Sequence, residues 1–143
     1  MAGQELMLRA VDFPGPGIRV LHLGGDLDAP AAGRRLTALA GVQLLRVAED
    51  AADHPAHLLL DLASVRSLGP AGLDALVRIR DEGRAKGVQV HLTGLAARRP
   101  LLAGTGDPRY HLSSYPTVEC ALQQFVHEPA PPRSQRLRTD HDT

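Results

Sequence analysis

His57-Leu58-Leu59-Leu60-Asp61, followed six residues later by Ser67-Leu68-Gly69-Pro70-Ala71-Gly72-Leu73, is the stretch from which the architecture reads. Leu58-Leu59-Leu60 is a short continuous apolar run, the pattern of a strand buried on both faces in a sheet covered by helices. The turn after it carries helix-start chemistry. Gly69 suits an N-cap or tight turn, Pro70 is pre-set for the first helical position, and Gly72 permits close approach of another backbone. Behind the turn, Leu73, Leu76, Val77 and Ile79 recur at helical spacing. Asp74 to Arg78 and Glu82 to Lys86 offer i,i+4 ion pairs, and Gly87 is a stop.

Upstream, Leu6 to Val11 and Ile18 to Leu23 are apolar segments separated by Pro14-Gly15-Pro16-Gly17, which predicts two strands paired through a hairpin. Gly24-Gly25-Asp26-Leu27-Asp28 follows, with Asp28 placed to N-cap a helix that begins near Pro30. That helix carries Leu36, Ala40, Leu44 and Val47 inward and ends before Asp53-His54-Pro55. Downstream, Val88, Val90 and Leu92 alternate with Gln89 and His91, as in a strand with one polar face. Residues 96 to 103 read as a short helix stopped by Gly104-Thr105-Gly106, and Tyr110 to Leu112 as a short strand. Thr117 caps a last helix with Val118, Ala121, Leu122 and Phe125 inward. The expected fold class is therefore an α/β sandwich: a mostly parallel central sheet, an antiparallel N-terminal strand pair and flanking helices.

The chain has 143 residues, 43% hydrophobic and 22% charged, with sixteen basic against sixteen acidic side chains, enough for one domain with a real core. Residues 1–127 are expected to form that domain. The tail from 128 to 143, opening on Glu128-Pro129-Ala130-Pro131-Pro132, lacks core-forming residues and reads as disordered. Zero net charge and no basic patch in the body of the chain argue against nucleic acid and anionic membranes as partners. Cys120 is the only cysteine, which excludes an internal disulfide and fits a reducing, cytoplasmic setting. Neither a basic-then-apolar leader nor an apolar run of about 20 residues is present, so no export or membrane anchoring is expected.

No catalytic or metal chemistry is expected. The seven histidines, at 22, 54, 57, 91, 111, 127 and 141, show neither an i,i+4 pair on one helix nor a cysteine partner at ligand spacing. Cys120 falls in the apolar part of the last helix, which suggests core packing rather than nucleophilic chemistry. Gly104 and Gly106 lack the Gly-Lys-Ser/Thr of a phosphate-binding loop.

The residues resemble the STAS domain of anti-sigma factor antagonists from about Leu6 to Phe125. Gly25-Asp26-Leu27-Asp28 is similar to that family's Gly-Glu-Leu-Asp turn. Leu58-Leu59-Leu60-Asp61-Leu62-Ala63-Ser64-Val65 is similar to its central Asp-Leu-Ser-Gly-Val strand, and Gly72-Leu73 to the Gly-Leu after its phosphorylation site. The resemblance implies a bacterial, non-enzymatic regulator of transcription without a cofactor. It would bind an anti-sigma factor of the ATP-binding serine kinase type, or other STAS proteins, through Asp26, Asp28, Ser67, Leu68, Gly69, Pro70, Ala71, Gly72 and Leu73. Leu68 and Leu73 would serve as apolar anchors if exposed. The family's Asp-Ser pair falls here on Gly69 and Pro70, and neither side chain can accept a phosphate. Ser67, read as a turn serine bonding its own backbone, is a weak alternative acceptor, with Ser64 at a strand end nearby. Two other readings stand beside this one: a non-phosphorylatable STAS scaffold or adaptor that self-associates as a weak homodimer, and a small-ligand sensor at the free helix end.

Overall fold

The computed structural model describes residues 5–94 and 112–127. Its elements are β1 (Met7–Gly15), β2 (Ile18–Leu27), α1 (Pro30–Ala51), β3 (Ala56–Leu68), α2 (Pro70–Ala85), β4 (Val88–Thr93), β5 (Ser114–Tyr115) and α3 (Val118–His127). The strands form one sheet in the order β1-β2-β3-β4-β5. β1 and β2 are antiparallel, and every other neighbouring pair is parallel. The expected class of sheet is thus the observed one. The hairpin closes tightly from Gly15 to Ile18. Proline sets φ at the first position of that turn, and Gly17 takes the second with φ +73°.

A parallel strand must be reached by a crossover, and right-handed crossovers through a sheet that advances in one direction put α1 and α2 on the same face. Leu36, Ala40, Leu44 and Val47 of α1 and Leu73, Leu76 and Ile79 of α2 accordingly share a core with Leu21, Leu23, Leu58, Leu60, Leu62, Val90 and Leu92. Val77 is only half-buried. On the opposite face Val20 and Leu59 meet Ala121, with Val118, Leu122 and Phe125 of α3 packed around them. The triple-leucine run is therefore buried on both sides, each side chain contributing about 2 kcal/mol by leaving water.

Several expectations are corrected. β3 does not end near Ser64 but runs on to Leu68, because β2 continues to pair with it as far as Leu27 and Leu68. The N-cap of α1 is Ala29, with no side-chain cap hydrogen bond, so Asp28 does not cap it. β4 alternates as expected, with Val88, Val90 and Leu92 in the core, but its polar face is not open to solvent throughout: Gln89 is exposed, whereas His91 is buried against Phe125 of α3. The fifth strand is Ser114–Tyr115 rather than one ending at Leu112. Cys120 is exposed, not packed in the core. Thr117 does cap α3, its Oγ1 accepting from the Cys120 amide at 3.1 Å, and Lys86 pairs with Glu82 at 3.3 Å. The helix expected over 96 to 103, its glycine stop, residues 110 and 111 and the tail from 128 to 143 lie outside the described residues. None of the described helices is long and apolar enough to cross a membrane.

Candidate functional site

The candidate site sits where β2 and β3 hand over to α1 and α2. Parallel pairing aligns Asp26 with Ser67 and Leu27 with Leu68, so both strands end at one level and both helices begin there. The Leu27 carbonyl accepts from the Gly69 amide at 3.0 Å, and the Gly69 carbonyl accepts the first helical bond, from Leu73, at 3.0 Å. Gly69 is the N-cap of α2 and Pro70 its first residue, as the sequence predicts. A Cβ on Gly72 would lie 2.3 Å from the Leu27 carbonyl oxygen, which is the close backbone approach expected of that glycine.

Ser67 differs from the turn serine anticipated above. Its Oγ lies 2.9 Å from Asp28 Oδ2 and 3.1 Å from Asp26 Oδ1, joining the end of β3 to the loop before α1. A hydroxyl has one proton, so it donates to one carboxylate at a time. Phosphate on Ser67 would set a charge of about −1.5 to −2 against two carboxylates, which opposes such a modification in this conformation. Ser64 is exposed, within β3 rather than at its end. Ser67→Ala removes the donor and leaves the two carboxylates facing each other. The expected cost is about 1–2 kcal/mol, read as a lowered urea midpoint with an unchanged m-value.

The outer surface of the site is Asp28, Ala29 and Pro70, with Asp26, Ser67, Gly69 and Ala71 half-buried. Leu68, Gly72 and Leu73 are buried. The condition under which Leu68 and Leu73 were expected to anchor a partner is not met, because both pack into the core between sheet and helices. Beside this surface a groove of about 360 Å³ is lined by Glu5, Leu6, Asp26, Asp28, Ala29 and Arg35 among others.

Two histidine clusters on the α3 side of the sheet were not legible in the sequence. His22 is held between Asp61, 2.8 Å from Nδ1, and Asp12, 2.7 Å from Nε2. Thr93 Oγ1 donates to the other oxygen of Asp61 at 3.0 Å. Burial alone would lower the pKa of His22, but the two carboxylate hydrogen bonds and their charges raise it. Deeper in, His57 Nδ1 and His91 Nε2 are 3.1 Å apart, and His91 Nδ1 lies 2.7 Å from Ser113 Oγ. Phe125 stacks on His57 with ring centres 4.0 Å apart. Burial, and then the neighbouring His57, lower the pKa of His91 to about 4. The partners in each cluster belong to different strands and meet only across strand pairings. The alternation at Gln89 and His91 placed His91 on the correct face of β4 but carried no sign of its burial there. Among the described residues no group of three or more His, Cys, Asp or Glu is arranged to hold a metal ion.

A family model described as STAS domain matches residues 15–98. The fold is similar to a crystal structure of an anti-sigma factor antagonist from Mycobacterium paratuberculosis, at 28% identity and a TM-score of 0.57, over 85% of this chain and 95% of that one. It is also similar to the anti-sigma factor antagonist SpoIIAA in its unphosphorylated form, at 12% identity and a TM-score of 0.56, over 84% and 98% of the two chains. Murine Slc26a9, an anion transporter in its inward-facing state, matches 80% of this chain at 18% identity and a TM-score of 0.59, with 18% of the transporter covered. The last two likenesses concern the fold alone. No curated protein sequence matches the chain.

Proposed function

The chain belongs to the STAS domain family, and from that premise we propose that it is a bacterial, cytoplasmic regulator that binds an anti-sigma factor of the ATP-binding serine kinase type. The observation that carries this reading is the 28% identity to an anti-sigma factor antagonist spanning 95% of that protein's length. The docking surface in this reading is the end of the sheet where Asp28, Gly69 and Pro70 lie together, with Asp26, Ser67 and Ala71 beneath and beside them. Rigid framing suits such a role. The Ser67 hydrogen bonds and the Gly69 amide bond hold two loops in one arrangement, so binding costs little ordering of the chain. Leu68, Gly72 and Leu73 act from behind, setting the position of the surface rather than touching the partner.

Regulation in this reading differs from a phosphoserine switch. Pro70 stands at the first position of α2, where a phosphate would otherwise meet the positive end of the helix. It has no hydroxyl, so the association would be governed by the amounts of the two partners.

The test is affinity capture of the tagged chain from extracts of its own organism, with mass spectrometry of partners and bait, followed by titration of the purified kinase-type partner. The expected result is a kinase-fold anti-sigma factor on an unmodified bait. Asp28→Ala is expected to weaken its binding at least tenfold while leaving the thermal midpoint within a few degrees. Unchanged affinity in the Asp28 variant, or recovery of the bait alone, would overturn the proposed surface or the proposed partner respectively.

A further inference from the structure

We propose that the outward face of α1 is a homodimer interface, in which two copies of this chain pack their first helices antiparallel about a twofold axis at Val42. The α1 residues that do not face the sheet include Ala31, Arg35, Ala38, Val42, Leu45 and Glu49. Their steps of four, three, four, three and four are the seam of a helix that packs against another helix. Four of the six, Ala31, Ala38, Val42 and Leu45, are small or apolar, Arg35 and Glu49 are charged, and all six are exposed. Val42 is 48% exposed and Leu45 53%, two of the four large apolar side chains found exposed among the described residues. The opposite stripe, Leu36, Ala40, Leu44 and Val47, is completely buried. The outward side of α1 thus has an apolar centre at Ala38, Val42 and Leu45 between exposed charges, and no described residue buries Val42 or Leu45.

The occupant follows from the charges. Arg35 and Glu49 stand at equal distances from Val42, seven residues on either side, or about 10 Å along the helix axis. An antiparallel copy crossing at Val42 sets Arg35 against Glu49 of the second copy, and the same pair recurs on the other side of the axis. Leu45, three residues from Val42, then lies within one residue's rise, about 1.5 Å, of the level of Ala38 of the second copy, large beside small. A parallel copy would instead oppose arginine to arginine and glutamate to glutamate, which the seam disfavours. A surface that complements itself under a twofold rotation is what an isologous dimer requires. The chain has no net charge, so copies meet without long-range repulsion. One helix pair lies at the small end of specific interfaces, so the dimer is expected only at high protein concentration. The inference rests on α1 alone and does not depend on the partner proposed above.

Sedimentation equilibrium of the full chain from about 10 µM to about 1 mM, the range suited to a small interface, is the test. A concentration-dependent dimer is expected for the native chain. Leu45→Glu should weaken it by more than tenfold, with circular dichroism unchanged because Leu45 does not contribute to the core. Arg35→Glu should weaken it roughly tenfold, and Glu49→Arg in the same chain should restore it by reversing the pair. A native chain that stays monomeric at the highest concentration overturns the proposal. So does a dimer indifferent to Leu45→Glu, or a charge reversal that fails to restore association.

Discussion

Gly72→Ala is expected to lower the unfolding free energy by about 2–3 kcal/mol, although helix propensity alone predicts a gain of about 1 kcal/mol for the same change. The contacts decide the sign. A Cβ at position 72 would lie 2.3 Å from the Leu27 carbonyl oxygen, 2.7 Å from Leu27 Cγ and 3.0 Å from Leu68 Cδ1. The oxygen cannot simply retreat, because it accepts the Gly69 amide bond that starts α2. Relief therefore requires moving α2 away from β2, which loosens Leu73 and Leu76 in the core as well. Gly41→Ala is the control. Its Cβ would meet only Glu82 Oε2, at 3.6 Å, so there propensity prevails and a gain of about 0.5–1 kcal/mol is expected. Thermal unfolding followed by circular dichroism reads both. A Gly72 variant as stable as the native chain would mean that helix and strand are not held this closely.

Acidification is expected to remove about 3 kcal/mol of stability between pH 6.5 and 4, through His91. Its ordinary pKa is 6.5, and burial, then His57, lower it to about 4. Above 6.5 the folded and unfolded chains both carry a neutral His91, so nothing is lost. Below 6.5 the unfolded chain takes up a proton that the folded chain refuses, and stability falls by about 1.4 kcal/mol per pH unit until the folded value is reached. His22 has the opposite sign. Its pKa is raised in the folded chain, so its contribution is complete below 6.5 and is lost as pH rises through the folded value. Stability should therefore be greatest near neutrality. Urea unfolding at half-unit steps from pH 4 to 9 checks this, with His91→Leu as the decisive comparison. The variant should lose much of the acid slope and keep the alkaline one. An unchanged acid slope would remove His91 as its source.

Much of the fold was written in local chemistry. The hairpin follows from Pro16-Gly17 between apolar segments, the first crossover helix from the spacing of Leu36, Ala40, Leu44 and Val47, and the central strand from Leu58-Leu59-Leu60. Each of these depends on residues within one element, where backbone geometry sets the period of the side chains. The start of α2 was equally legible, since a glycine followed by a proline favours few other conformations.

The candidate surface was legible by position and not by exposure. Residues 26–28 and 67–73 do converge, as parallel pairing of consecutive strands demands. Which side chains point outward depended on the length of β3, and hence on how far β2 stays paired with it. Leu68 and Leu73 turned inward for that reason, and Ser67 found its partners across the loop rather than in its own backbone. Residue type and spacing along one segment were thus sufficient for element type, order and the antiparallel opening of the sheet. Contacts between segments decided the burial of His57 and His91, the bridging of His22 and Ser67, and the exposure of Cys120. These depend on register between strands and on the placement of α3, long-range quantities that no local period encodes.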